Sequence, residues 1–242
     1  MQACLVLPTF NEAPNLEALL AAVRKAVPAL GILVVDDRSP DGTGVLAEQL
    51  AARDRRLAVL HRDGPRGFGG ALTAGFRRAL AEGAEAIVTM DGDFSHDPAE
   101  IPRLLAALEE ADLVIGSRYT RGGTIQAWSL HRRLLSAAAN SFVRVLYRLP
   151  ARDCTSGFRA YRRRALEAVP WDRLHSPGYS FLVEVLYWAS RSSPARVREV
   201  PICFTERRAG TSKMGWREIV AGAGNLLKLR LALFAGGLPG RG

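Results

Sequence analysis

Residues 86–101 read AIVTMDGDFSHDPAEI: an apolar run that ends in two carboxylates one residue apart. Ile87, Val88, Thr89 and Met90 have the character of a short buried strand, and Asp91-Gly92-Asp93 follow where that strand must leave its sheet. Open α/β sheets place ligand sites at the carboxyl ends of their strands. Adjacent carboxylates there repel unless solvent, a cation or a hydrogen-bond network compensates. Gly92 removes a side chain between them, so both can address one point. That reading is a Mg²⁺ or Mn²⁺ site in which the ion also holds substrate phosphates. The alternative is a polar turn ahead of a helix capped by Asp97, with Pro98 in its first position.

Upstream, the same strand-then-acid pattern recurs. Strand one, Cys4–Leu7, closes at Pro8 and is followed by Asn11-Glu12 and a helix carrying Leu16, Leu19, Leu20, Val23 and Val27 at helical spacing. Strand two, Ile32–Val35, runs into Asp36-Asp37-Arg38-Ser39-Pro40-Asp41-Gly42-Thr43. Asp37 there can accept from a base or ribose, whereas Asp41, in an Asp-Gly turn, ties the loop to backbone amides. Leu57–Leu60 is strand three, and the turn RGFGGA after it lacks both GxxxxGK[ST] and the GxGxxG spacing. Gly67, Gly69 and Gly70 serve either a tight strand-to-helix turn or a ligand. Repeated strand–helix units with short turns predict an α/β domain with a mostly parallel sheet covered on both faces.

The 242 residues suit one such domain with a modest extension. Three unpaired cysteines imply a reducing compartment and no zinc site. No leader signal and no uninterrupted apolar run of spanning length are present. The net charge of +9 comes almost wholly from arginine. It can attract phosphorylated substrates or an anionic membrane surface, while sparse aromatics and the lack of a basic–aromatic platform argue against nucleic acid.

In the second half, Leu113–Gly116 is a strand with Ser117-Arg118-Tyr119 at its exit, and Trp128 and His131-Arg132-Arg133 introduce a helix from about Leu134 to Leu149. We read it as a core helix, with a surface element near lipid as the alternative. In DCTSGFR (153–159), Thr155, Ser156 and Gly157 offer small donors, and Arg159 can fork onto a phosphate. Asp153 orients an acceptor, neutralises Arg159 or caps a helix. Glu184, alone in an apolar helix, holds a loop or pairs with an arginine. VREVPICF (197–204) is an edge strand broken by Pro201, leading to Arg207, Arg208 and Lys213 in a phosphate clamp or a solvated loop. Residues 216–235 make an amphipathic helix for lipid, a partner or the domain itself, and residues 236–242 a mobile tail.

LPTFNEAPNL, VVDDRSPDGT, RGFGGAL and MDGDFSHDP, in that order and spacing, resemble the GT-A glycosyltransferases of family 2. With GSRY, DCTSGFR, GYSF followed by Glu184, and EVPICFTERRAGTSKM, they are similar to its dolichyl- or polyprenyl-phosphate mannosyltransferase branch. The resemblance implies a GT-A nucleotide-sugar fold over residues 1–215, a divalent ion, and inverting transfer from GDP-mannose to dolichyl or polyprenyl phosphate. It implies peripheral placement on the cytoplasmic side of a membrane, with a separate integral membrane subunit as one form of attachment. It places Pro8, Asn11, Glu12, Asp37, Asp91, Arg118, Arg207 and Lys213 around the donor, and Asp91 and Asp93 on the ion. Ser95 stands where many relatives have glutamine, and its shorter hydroxyl reaches an ion only through water. Arg118, Arg132 or Arg133, Ser156 and Arg159 would meet the acceptor, with Asp91, Asp93 and Arg207 as the catalytic groups. A phosphate acceptor already carries anionic oxygens, so no base is required, and His96 supports the loop. Transfer of glucose from UDP-glucose is the enzymatic alternative, and an inactive nucleotide-sugar-binding module the non-enzymatic one.

Overall fold

The computed structural model describes residues 2–174, 176, 178, 180–191, 195–206, 224, 226, 227 and 230. Arg207, Arg208, Lys213 and most of the expected C-terminal helix and tail lie outside them.

The elements in chain order are β1 (Ala3–Thr9), α1 (Ala13–Ala26), β2 (Gly31–Asp36), α2 (Thr43–Ala51), β3 (Leu57–His61), α3 (Phe68–Ala81) and β4 (Ala86–Thr89). Then come α4 (Ile101–Ala107), β5 (Leu113–Ser117), β6 (Thr124–Ile125), α5 (Leu130–Tyr147), β7 (Arg159–Arg162), α6 (Arg163–Glu167), α7 (Ser180–Ala189), β8 (Val197–Pro201) and β9 (Cys203–Phe204). A seven-stranded sheet has the order β3-β2-β1-β4-β7-β5-β8, with β6 and β9 paired apart from it. Every neighbouring pair in the large sheet is parallel except the two made by β7. The expected α/β architecture is therefore present, with one reversed strand that the sequence reading did not assign.

The continuous apolar runs of β1, β2 and β4 follow from burial on both faces. Leu5 and Leu7 face one core with α1 and α4, and Val6 faces the other with α3 and α7. A Cβ on Gly75 would come within 2.4 Å of Val6 Cγ1, so this glycine lets α3 lie directly on β1. On the same side Phe76 meets Tyr161 edge-on, with ring centroids 5.4 Å apart. Because β1, β2, β4, β5 and β8 run the same way, their carboxyl ends share one edge. Pro8, Asp37, Asp91 and Arg118 follow them there.

The helix expected from Leu134 begins four residues earlier, and its packing corrects the core reading. Only Asn140, Val143 and Tyr147 of α5 are buried, whereas Leu130, Leu134 and Val145 are largely exposed. Tyr147 Oη donates to the Leu226 carbonyl at 2.5 Å, and Leu226 is buried in the core, so the C-terminal segment touches its own domain at that point. No helix among the described residues is long and apolar enough to cross a membrane.

Candidate active site

β4 ends at Thr89, whose hydroxyl donates to the Gly157 carbonyl at 2.7 Å and ties the acidic loop to the 153–159 loop. A Cβ on Gly157 would lie 2.9 Å from Asp91 Oδ1, so only glycine lets this loop approach the first carboxylate so closely. Asp93 is buried, and its Oδ1 accepts from the Ser95 hydroxyl at 2.6 Å and the Ser95 N–H at 3.0 Å. Ser95 therefore orients Asp93, which explains a short hydroxyl at this place better than direct ion coordination does. Asp97 caps the next turn by accepting from Ala99 N–H at 2.9 Å, as the sequence implies.

His96 sits under the loop, stacked on Phe158 at 5.1 Å and edge-on to Phe204 at 5.4 Å. Burial pushes its pKa down to about 4, against the opposing pull of Asp93. The neutral ring accepts the Asp91 backbone N–H at Nδ1, 3.3 Å away. Asp91 Oδ2 lies 3.8 Å from the same nitrogen, but an uncharged Nδ1 that is already accepting forms no ion pair.

The β1 and β2 ends form the second wall. The Asn11 backbone, at φ 59°, donates to Ser39 Oγ at 3.0 Å, and Glu12 N–H donates to Thr43 Oγ1 at 2.9 Å. Asp41 accepts from Ala13 N–H and from both donors of Thr43, and these bonds outweigh its burial and hold its pKa below the usual carboxylate value. The β2–α2 loop thus supplies the caps that the start of α1 lacks. A Cβ on Gly92 would stand 3.3 Å from Glu12 Cγ and 3.7 Å from the Pro8 carbonyl oxygen, so Pro8 and Glu12 flank the acidic loop. Asp37 is buried and accepts from Arg62 Nε at 2.9 Å and from Gly67 N–H at 2.6 Å. Arg62 is thus a partner that the sequence reading did not name. The glycine-rich turn holds Asp37 in place.

The third wall carries the cations. Arg118 forks onto Asp153, with Nε 2.8 Å from Oδ2 and a second bond of 2.7 Å to Oδ1, and both residues are buried. Burial raises the Asp153 pKa, but the Arg118 charge beside it prevails and holds the group below its ordinary value. Asp153 thus pairs with Arg118, not with Arg159. The Arg118 guanidinium also lies 5.4 Å from the Phe204 ring centre and 5.7 Å from that of Trp128, and Arg132 covers Trp128 from 4.1 Å. Arg132 also pairs with Glu206 at 3.2 Å, and Arg133 instead donates to the Ile125 carbonyl, so the two neighbours have different partners. Trp128 and Phe204, edge-on at 5.4 Å, complete a ring series from Arg132 to His96. Thr205 closes it, donating to the Ser95 and Phe94 carbonyls at 3.2 and 3.1 Å.

Two acceptor assignments give way. Arg159 has no exposed surface and donates to the carbonyls of Ser156, Leu182 and Cys154, each at 2.7 Å. The Ser156 hydroxyl donates to the Gly116 carbonyl at 2.7 Å. A guanidinium and a hydroxyl committed in this way shape the loop and do not face a phosphate. Glu184 accepts from Ser176 N–H at 3.2 Å, in keeping with a loop-holding role.

The Asp91 and Asp93 carboxylates are hard oxygen donors of the kind that a hard cation takes. Mg²⁺ characteristically takes one or two carboxylates and fills its other positions with phosphate and water.

A family model described as glycosyl transferase family 2 matches residues 4–169. The chain belongs to glycosyl transferase family 2. Within that family it is 42% identical over 241 residues to undecaprenyl-phosphate mannosyltransferase of Micrococcus luteus, covering 100% of this chain and 99% of that protein. It is 46% identical over 216 residues to polyprenol monophosphomannose synthase of Mycolicibacterium smegmatis, covering 88% and 81%. In fold it is similar to glucosyl-3-phosphoglycerate synthase of Mycobacterium tuberculosis, solved with Mn²⁺, UDP and glucosyl-3-phosphoglycerate. That likeness has a TM-score of 0.69 at 21% identity over 100% of this chain and 82% of that one. The family 2 assignment and the GT-A architecture expected from the motifs both hold.

Proposed function

We propose that this protein transfers mannose from GDP-mannose to a polyprenyl or dolichyl phosphate, with inversion at the sugar carbon. The observation that carries this reading is the Arg118–Trp128–Arg132 group, joined through Phe204 and His96 to the Asp91-Gly92-Asp93 loop. One end suits a phosphomonoester and the other a metal-bound diphosphate. The names of the two relatives, matched over most of their length, support the lipid-phosphate acceptor and the mannosyl group.

Asp91 and Asp93 would hold Mg²⁺ or Mn²⁺. Bound there, such an ion would supply positive charge to the departing diphosphate. Ser95 and His96 fix the two carboxylates, Asp37 and Arg62 line the nucleotide side with Pro8, Asn11 and Glu12, and Arg132 receives the acceptor phosphate, with the Arg118 charge behind it held in place by Asp153. Its anionic oxygen attacks the anomeric carbon from the face opposite the leaving group, so no residue need remove a proton. Arg207 and Lys213 belong in this proposal as the phosphate clamp, by resemblance.

Transfer at a membrane also follows from an acceptor that cannot leave the bilayer cheaply, and a peripheral attachment suits this chain. The test is incubation with labelled GDP-mannose or UDP-glucose and a short-chain polyprenyl phosphate, with Mg²⁺ or Mn²⁺. Mannosyl lipid from GDP-mannose is expected. Product from UDP-glucose alone would replace the sugar assignment, and no product from either would overturn the reading.

A further inference from the structure

We propose that Glu206 is the built-in counter-ion of the acceptor-phosphate site: its carboxylate pairs with Arg132, gives way to the lipid phosphate, and takes Arg132 back as the glycosylated product leaves. The inference rests on the lipid-phosphate reading of the acceptor and adds a residue that sets how tightly acceptor and product are held.

Two arginines share this wall, and their charges are met in different ways. Arg118 is forked onto Asp153, with side chains 6 and 0% exposed. Opening that pair would strand a buried charge, so its partners do not exchange. Arg132 pairs with Glu206 at 3.2 Å, with side chains 30 and 50% exposed. A pair in contact with water costs little to open, so an incoming anion can replace its carboxylate half.

Fixed parts of the fold deliver both halves of the pair. Arg132 stands in the first turn of α5, with its guanidinium 4.1 Å from the Trp128 ring centre. Glu206 follows β9, which pairs with β6, and Gln126 N–H donates to the Phe204 carbonyl at 2.8 Å. Thr205, the residue before Glu206, is tied to the Phe94 and Ser95 carbonyls of the acidic loop. The backbone leading to each side chain is therefore held, and exchange needs only the Glu206 side chain to turn into solvent.

Charge sets the direction of that exchange. A carboxylate brings one negative charge, whereas a phosphomonoester brings about −1.5 to −2 near neutral pH and three terminal oxygens. A guanidinium can grip a phosphate with two parallel bonds, while Arg132 donates to Glu206 Oε1 through Nη1. The indole N–H of Trp128, buried beneath Arg132, has no acceptor among the described residues, so the wall holds a donor that the carboxylate does not use. Transfer of the sugar turns the monoester into a phosphodiester with a single charge. The product thereby loses the advantage that the acceptor had over Glu206.

The experiment compares full-length wild type with Glu206→Gln, which keeps the side-chain length and removes the charge. Short-chain polyprenyl phosphate is the probe, followed by calorimetric binding and by mannosyl transfer at saturating GDP-mannose. The variant is expected to bind the acceptor, and to be inhibited by the mannosyl lipid product, about two- to fivefold more tightly than wild type. Donor KM and melting temperature are expected to stay unchanged. Added salt is expected to shrink the difference, because it screens the pair in wild type, and an Arg132→Ala background is expected to abolish it. Equal acceptor affinities overturn the proposal. Weaker binding by the variant assigns Glu206 to holding Arg132 in place and also overturns it. The two readings fail separately. Normal mannosyl transfer with equal acceptor affinities rejects the counter-ion alone, and tighter phosphate binding by the variant without product from either protein rejects the function alone. No acceptor binding by either protein rejects both.

Discussion

The backbone N–H of Asp91 ends on Nδ1 of His96, 3.3 Å away, so the first carboxylate of the acidic loop is positioned by an imidazole that must stay uncharged. His96 has its pKa lowered by burial from 6.5 to about 4. The folded protein therefore binds fewer protons than the unfolded chain below pH 6.5, and stability falls as pH drops from there toward 4 and then levels off for this group. The shift corresponds to something on the order of 3 kcal/mol. In His96→Asn the amide oxygen can still accept from Asp91, without titrating. Urea unfolding between pH 7 and 4 is expected to show a shallower loss in the variant, and equal slopes would remove His96 as the source.

Asp93→Asn keeps an oxygen that can accept from Ser95 but removes the charge offered to a cation. Turnover is expected to fall about a hundredfold or more, with the ligand-free melting temperature within a few degrees of wild type. Initial rates near wild type at saturating metal and donor would exclude Asp93 from the reaction.

Arg118→Ala leaves Asp153 buried without its guanidinium, a loss expected to cost about 3–5 kcal/mol. Arg118→Met/Asp153→Asn removes both charges, keeps an amide oxygen for one of the Arg118 and Ser156 N–H groups that Asp153 accepts from, and is expected to regain part of that stability without regaining activity. If activity returned with stability, Arg118 would be purely a scaffold.

The two neighbouring arginines at the start of α5 give a kinetic contrast. Arg132→Ala is expected to raise the KM for a short polyprenyl phosphate about tenfold or more, in line with a lost charge-assisted contact of roughly 1.5–3 kcal/mol. Arg133→Ala, which gives up only a bond to the Ile125 carbonyl, is expected to change it less than twofold. Equal effects would break the assignment.

Arg159→Met is expected to act through folding. Three carbonyls lose their donor in a site without solvent, which costs roughly 3 kcal/mol or more. The specific activity of the folded fraction, measured below the lowered melting temperature, should stay near wild type.

The parallel half of the fold was legible because β1, β2 and β4 are apolar runs that each end in a polar turn, and burial on both faces leaves that mark on a sequence. β7 was not: Arg159–Arg162 reads RAYR, and its arginines find carbonyls that only the folded chain assembles. The same invisibility misplaced Arg159, since nothing local tells a guanidinium aimed at phosphate from one aimed at backbone oxygen. Asp41 was read well because an Asp-Gly turn carries its own bonding pattern. For α5 the apolar positions were legible but not which side is covered, because periodicity gives a helix two faces and says nothing of its neighbours. Arg62 and Phe204 came to the site only through tertiary contacts with Asp37 and His96.

The reversed strand β7 also has a consequence for the order in which the molecule can be made. β4 pairs with β1 on one side and with β7 on the other, and β5 reaches the sheet only through β7. A nascent chain that has emerged as far as α4 therefore carries Ala86–Thr89 as a bare apolar border, and the next strand to be synthesised cannot seal it. Closure waits until residue 162 has left the ribosome. Until then the border is a template for pairing with other chains, so a fragment ending near residue 112 should aggregate where one extended beyond α6 does not. The strand that completes the catalytic edge is thus also the clasp that ends the chain's exposure during biosynthesis.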